Sequence, residues 1–273
     1  MDSFEVDGSV LRCQTAGTGA PLIFVHGSAG SGRQWKRLYD HFAASRRVFA
    51  FDLEGNGGNP PWPVDRTFTV DCDRRAIDAA IDQIGAPVDV IAHSAGCLGT
   101  LLLARDRPAA IRSLTLFEPV LFHILRDSDP AAFAPVRAFA ERYRATYAAA
   151  GGAAAMEAFV DFWNGPGSWP TLPEPVRASM LVAAGRLDQE WGVVLGAQPV
   201  LSLADLTAIR QPTLFFCGTG TIGPVQRIAE IAAPIFPAGR LIPVEGAGHM
   251  APFTHAAAVA PAIAAHIEGV VRQ

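Results

Sequence analysis

The chain has few of the features that mark nucleic-acid-binding, membrane or metal proteins. It contains a single lysine, Lys36, and its net charge is −4 at pH 7. It therefore lacks the basic stripe that nucleic-acid binding needs. No apolar run approaches the ~20 residues that span a bilayer. The first residues are acidic and show no apolar stretch typical of a signal peptide. Four scattered cysteines without CxxC or Cys/His spacing indicate reduced thiols rather than a metal site.

The composition predicts one globular domain with a large core. Of the 273 residues, 50% are hydrophobic and only 18% are charged, which fits one α/β domain with an insertion. We expect a small-molecule substrate, no cofactor, no metal, a cytoplasmic location, and no nucleic-acid or membrane partner. A homo-oligomer stays open, because composition does not determine assembly.

Strand-like and helix-like segments alternate along most of the chain. Apolar runs at 22–25, 48–51, 88–92, 114–117 and 213–217 fit strands buried on both faces of a sheet. Segments with helical spacing lie between them. This alternation predicts an α/β fold, a mostly parallel twisted sheet with helices on both faces.

The alternation stops after Pro119. From about residue 121 to residue 204 no convincing strand pattern occurs, and alanine-rich helical pieces are separated by Gly151-Gly152 and by the turn at 164–167. We therefore predict a helical cap, residues 121–204, inserted into a core formed by residues 1–120 and 205–273.

The segment around Ser94 indicates a serine nucleophile. An apolar strand pattern (88–92) leads to Ser94 between small residues, and a helix-compatible run follows at once. This order is typical of a nucleophile elbow, the tight strand-to-helix turn that lifts a serine hydroxyl out of a sheet. Such strained turns are usually kept for function.

A serine hydroxyl needs a neighbouring base to react at neutral pH, and His249 is the best candidate. It follows the last predicted strand in a loop with two glycines, so it lies at the carboxyl edge of the sheet beside Ser94. The alternative role is a loop histidine that supports a turn. The order along the chain, serine first and histidine last, favours the catalytic role.

The loop after the predicted strand 213–217 (residues 218–224), where an acid that orients His249 would be expected, contains no carboxylate. Glu230 lies inside a predicted helix, and Glu245 is too near His249 in sequence. Glu118 directly follows the strand after the elbow helix and so lies at the same sheet edge. We predict that Glu118 holds the imidazole tautomer, the alternative being a residue that caps or hinges the insertion.

Two backbone N–H groups should bind a developing oxyanion, those of Ala95 and Ser28. Ser28 lies in a glycine-rich turn after the first central strand. That turn is not a phosphate loop, since neither GxGxxG nor GxxxxGK[ST] is present.

Aromatic residues and one histidine of the insertion are candidates for binding substrate. Phe122 and Trp163 would line an apolar pocket, although such residues also form the core of a cap. His123 either contacts substrate or caps a helix.

Taken together, four segments resemble the α/β-hydrolase superfamily over nearly the whole chain outside the cap: FVHG at 24–27, DLEGNG at 52–57, AHSAG at 92–96 and GAGH at 246–249. Ala92 replaces the first glycine of GxSxG, Asn56 replaces a frequent histidine, and the usual acid near Thr221 is absent. Some superfamily members, including certain haloalkane dehalogenases, carry the acid at the position that Glu118 matches. Dehalogenases and epoxide hydrolases use an aspartate nucleophile, so Ser94 argues against both chemistries.

The resemblance and the residues together predict a cofactor-free serine hydrolase. It would cleave a small carboxylic ester, thioester or lactone through an acyl-enzyme on Ser94. Two alternatives from the same superfamily stay open: a cofactor-independent dioxygenase that uses a histidine and an acid, and a ligand sensor with a retained triad.

Overall fold

The computed structural model describes residues 3–85, 87–198 and 200–271, and its centre is an eight-stranded sheet in the order β1-β2-β4-β3-β5-β6-β7-β8. The first two strands form an antiparallel hairpin, and β2 pairs antiparallel with β4. All other neighbours are parallel. The strands are β1 Ser3–Val6, β2 Ser9–Ala16, β3 Pro21–Val25, β4 Arg47–Phe51, β5 Val88–His93, β6 Ile111–Phe117, β7 Thr213–Gly218 and β8 Gly239–Val244.

Helices connect the parallel strands, as the alternation predicted. They are α1 Lys36–Phe42, α2 Val70–Ile84, α3 Gly96–Asp106, α4 Phe122–Ser128, α5 Pro130–Asn164, α6 Glu174–Val182, α7 Ala184–Val194, α8 Leu203–Leu206, α9 Gly223–Ala232, α10 Ala251–Thr254 and α11 Ala256–Val271. No helix in the described part of the chain is both long enough and apolar enough to cross a membrane.

Alternate residues of the central strands face opposite sides of the sheet. On β3, Ile23 and Val25 belong to the core under α2, α3 and α9, whereas Leu22 and Phe24 belong to the core under α1 and α11. All four side chains are fully buried. Helices therefore cover both faces, which confirms the predicted fold class and explains why the strands are apolar without interruption.

Five helices, α4 to α8, lie between β6 and β7, and we call residues 122–206 the insertion. No strand occurs there among the described residues. The long helix α5 bends at Gly151, whose φ of 81° is not helical, close to the predicted break. Further along the insertion, α6 and α7 meet at Ala183. The carbonyl of Ala184 at this junction accepts a hydrogen bond from the Tyr143 hydroxyl of α5 (3.2 Å).

Candidate active site

Ser94 occupies a strained turn between β5 and α3. Its φ is 54°, in the left-handed region that few residues other than glycine adopt, and its N–H donates to the carbonyl of Phe117 (2.9 Å). Neighbouring backbones are very close, because a Cβ at Gly96 would lie 2.3 Å from the His26 carbonyl oxygen. The glycine after the elbow is therefore a steric requirement of this turn.

Three side chains from distant segments form one hydrogen-bonded chain. The Ser94 hydroxyl lies 3.0 Å from His249 Nε2, and His249 Nδ1 lies 2.7 Å from Glu118 Oε2. All three side chains are buried. With the carboxylate accepting from Nδ1–H, the Nε2 atom is left free to accept the serine proton. The sequence had placed these residues at one sheet edge, and the structure brings their reactive atoms into contact.

Glu118 follows β6 with a φ of 47°, and the loop after β7 holds its carboxylate in place. Glu118 Oε1 accepts from the backbone N–H of Gly218 (2.7 Å), and Oε2 accepts from the Thr221 hydroxyl (2.8 Å). The loop that lacks an acid thus supplies hydrogen-bond donors to an acid from the neighbouring strand. All three hydrogen-bond partners of this carboxylate can donate, so both of its oxygens act as acceptors.

Two aromatic rings flank the imidazole of His249. The Trp163 indole stacks on it with ring centroids 3.7 Å apart and planes 16° apart, and the His93 ring lies 4.7 Å away. His93 Nε2–H donates to the His249 carbonyl (2.9 Å), and its Nδ1 accepts from Gln34 (3.2 Å). Burial, and secondarily the nearby His249, lower the pKa of His93 well below its ordinary value, so His93 stays neutral. The hydrogen bond from His93 to the His249 carbonyl fixes the backbone of the loop that carries His249.

The two residues predicted to supply oxyanion donors lie near the serine: Ala95 follows it in the chain, and Ser28 lines the same cavity. Neither the Ser28 N–H nor the Ala95 N–H has a hydrogen-bond partner among the described residues. The loop that carries Ser28 turns sharply, with a φ of 52° at Ala29. Free N–H groups next to a nucleophile are what a tetrahedral intermediate requires.

Buried polar contacts hold the Ser28 loop against the loop after β4. His26 Nδ1–H donates to the Gly27 carbonyl (2.7 Å), and His26 Nε2 accepts from the Leu53 N–H (2.9 Å). Desolvation lowers the pKa of this fully buried imidazole, which keeps it neutral. Asp52 accepts from the backbone N–H groups of Gly32 (2.7 Å) and Gly58 (2.8 Å) and thereby joins the same two loops.

A small cavity of about 10 Å³ lies over Ser94. Its aromatic walls come from the insertion: Phe122, Phe159, Trp163 and Trp191. Two of the predicted substrate-binding residues, Phe122 and Trp163, therefore lie at the cavity. His123 does not, because its Nε2–H donates to the Leu201 carbonyl (2.7 Å) on another surface of the insertion.

One polar residue of this cavity, Glu190, was not predicted from the sequence. Glu190, on α7, lines the cavity beside Ser94 and accepts a hydrogen bond from the Ser28 hydroxyl. Arg186, one turn earlier, contacts both Glu190 (3.3 Å) and Asp73 of α2 (2.6 Å). Burial raises the pKa of Glu190. The available signal was an Arg and a Glu four residues apart among the apolar residues of one predicted helix.

The described residues contain no cluster of metal ligands. Within residues 3–85, 87–198 and 200–271, no three or more His, Cys, Asp or Glu side chains are grouped so as to hold a metal ion. The four cysteines are buried and unpaired, and burial raises the pKa of Cys217 to about 12.

Comparisons with known proteins identify the family and the fold. The sequence model of the family described as "Alpha/beta hydrolase family" matches residues 22–262. A haloalkane dehalogenase of Agrobacterium fabrum is 29% identical over 125 residues, which are 45% of this chain and 40% of that protein. The lipase LipV of Mycobacterium tuberculosis is 33% identical over 117 residues, 41% of this chain and 42% of the lipase. The chain thus spans less than half the length of either relative.

Solved structures match over nearly the whole chain. A thermophilic esterase from Thermogutta terrifontis superimposes with a TM-score of 0.76 and 22% identity, covering 98% of both chains. The enol-lactonase from Burkholderia xenovorans LB400 superimposes with a TM-score of 0.77 and 14% identity, covering 97% of this chain and 99% of the lactonase. At these identities the likeness concerns the fold.

Proposed function

The chain belongs to the alpha/beta hydrolase family, and we propose that it is a serine hydrolase of a small carboxylic ester, thioester or lactone. The observation that carries this proposal is the continuous chain from the Ser94 hydroxyl through His249 to Glu118. Each member has the hydrogen-bond partner that nucleophilic catalysis by serine needs. In this proposal residues 121–204 act as the cap that closes the site, since α5 and α7 supply walls of the cavity over Ser94.

In the acylation step His249 Nε2 takes the proton of the Ser94 hydroxyl while Oγ attacks the substrate carbonyl. The N–H groups of Ser28 and Ala95 bind the oxygen that becomes negative. Glu118 stabilises the imidazolium, and the stacked indole of Trp163 adds a cation–π contact to it.

The imidazolium then protonates the leaving alcohol, thiol or ring oxygen, and the carbonyl re-forms as an ester with Ser94. In deacylation His249 removes a proton from water, the hydroxide attacks the acyl carbonyl, and Ser94 recovers its proton as the acid leaves. His93 keeps the backbone of His249 in position during both steps, because its Nε2–H donates to the His249 carbonyl.

Covalent labelling with a fluorophosphonate tests the nucleophile. Intact mass and peptide mapping should show one adduct on Ser94, and the Ser94→Ala variant should give none. A folded wild-type protein that forms no adduct at Ser94 would contradict the proposal.

Turnover separates the proposal from its two rivals. Release of p-nitrophenol from esters of graded chain length, or opening of lactones, supports hydrolysis. Labelling of Ser94 with one bound ligand per chain and no turnover would indicate a sensor. Oxygen consumption with an aromatic N-heterocycle would indicate a dioxygenase.

A further inference from the structure

The cavity over Ser94 combines aromatic rings with one carboxyl group. The ring centroids of Phe159 lie 6.3 Å from those of both Trp163 and Trp191, and Phe122 lies 6.4 Å from Trp163. Glu190 stands among these rings and is only 4% exposed. Ring faces together with an anion form the surroundings that proteins use for organic cations.

The charges around Glu190 do not balance. Glu190 and Asp73 share one arginine, Arg186, and all three residues are buried. No other lysine or arginine forms an ion pair with either carboxylate in the described part of the chain. With both acids ionised, this cluster carries one excess negative charge away from water. Either protonation of Glu190, whose pKa burial raises, or an added cation removes that cost.

Arg186 lies closer to Asp73 than to Glu190. Its Nη2 lies 2.6 Å from Asp73 and 3.3 Å from Glu190, and its Nη1 donates to the Glu54 carbonyl (2.6 Å). The guanidinium also lies over the Phe68 ring, 4.3 Å from its centroid. Four contacts hold Arg186 in place, so the uncompensated charge lies on the cavity side, at Glu190.

We propose that the substrate carries an ammonium group, which binds between the cavity's aromatic rings and Glu190. This inference rests on the proposed function, because it places the cation next to the ester that Ser94 attacks. The cavity of about 10 Å³ has room for about one water molecule, so the head group binds there only once side chains of the insertion move aside. Glu190 is then a specificity residue that touches substrate.

Matched substrates that differ only in charge test the proposal. One pair is butyrylcholine and 3,3-dimethylbutyl butyrate, with the charge on the alcohol side. The other is the p-nitrophenyl esters of 4-trimethylammoniobutanoate and 5,5-dimethylhexanoate, with the charge on the acyl side. In at least one pair we expect kcat/KM of the cation to be higher by about tenfold or more. Equal rates within both pairs, or a preference for the neutral ester, would overturn the proposal.

A variant locates the preference at Glu190. Glu190→Gln should bring the cation-to-neutral ratio of kcat/KM close to one, because it removes the charge and keeps the size of the side chain. Leu187→Met, on the same helix and the same cavity wall, changes shape without charge and should keep the ratio. A ratio that survives in Glu190→Gln, or that Leu187→Met abolishes equally, would count against a role for the carboxylate.

A measurement without turnover or variants covers the case in which Glu190→Gln does not fold. Choline should slow fluorophosphonate labelling of Ser94 at concentrations about tenfold lower than its neutral isostere 3,3-dimethylbutan-1-ol. Equal protection by both would refute the cation site while leaving Ser94 as the nucleophile. Absence of any labelling would refute the proposed function instead, so the two failures are distinguishable.

Discussion

Replacement of Glu118 by glutamine should disable the proposed catalysis, because only hydrogen-bond donors surround this carboxylate. Oε1 accepts from the Gly218 N–H (2.7 Å), and Oε2 accepts from Thr221 (2.8 Å) and His249 (2.7 Å). A glutamine adds an NH₂ donor to these three. The backbone N–H cannot reverse its role, whereas a hydroxyl and an imidazole can, so the amide nitrogen should occupy the Oε2 position.

The consequence is the wrong tautomer of His249. An amide N–H at that position donates to Nδ1 and moves the imidazole proton to Nε2, opposite the Ser94 hydroxyl. Nε2 can then no longer accept the serine proton. The corresponding Asp-to-Asn change in a serine protease triad lowers kcat by about 10⁴-fold, and we expect a loss of that order here.

The assay is kcat for p-nitrophenyl esters, with circular dichroism and urea unfolding to show that the variant is folded. Thr221→Val is the matched control. It removes one donor from the same carboxylate and leaves the bond to His249, so its loss in kcat should stay within about tenfold. A folded Glu118→Gln enzyme that keeps more than a tenth of the activity would refute the reasoning. A Thr221→Val loss as large as that of Glu118→Gln would also refute it.

Three predictions concern stability. In urea unfolding, Arg186→Met should lower the free energy of unfolding by about 3–5 kcal/mol, because it leaves two buried carboxylates unpaired. Lys36→Ala is the control, and because it breaks only an exposed ion pair it should lower that free energy by less than about 1 kcal/mol. Burial lowers the pKa of His26 and His93 below 6.5, so below that pH the unfolded chain binds protons that the folded chain does not. In urea unfolding, the free energy of unfolding should therefore stay constant above pH 6.5. Below pH 6.5 it should decrease by about 1.4 kcal/mol per histidine for each pH unit. Gly96→Ala should lower Tm and kcat together, since its Cβ would lie 2.3 Å from a carbonyl oxygen.

Clear results would contradict each of these. An Arg186→Met protein as stable as wild type would show that the buried cluster relaxes around the loss. A free energy of unfolding that does not decrease between pH 6.5 and about pH 5.5 would show that the buried histidines accept protons in the folded state. An unchanged Tm in Gly96→Ala would show that the elbow has room for a methyl group.

Local patterns in the sequence determined the architecture and the position of the nucleophile. Continuous apolar runs of strand length are typical of a sheet that helices cover on both faces. Strand β3 is an example, because its alternate residues belong to two different cores. The turn at Ser94 was equally readable, because a strand, small flanking residues and a helix start are encoded within about ten positions. The order of strands also placed Glu118 and His249 at one edge of the sheet.

Tertiary packing decided which atoms meet. Gly218, the last residue of β7, and Thr221, in the loop after it, hold Glu118 although they lie about 100 residues later in the chain. Glu190 reaches Ser28 across 162 positions, and His123 turns to Leu201 rather than to the cavity. These contacts depend on how each helix of the insertion is rotated and seated against the sheet. A 3.6-residue pattern specifies only the apolar face of a helix, so the chemistry of the cavity wall was settled by packing.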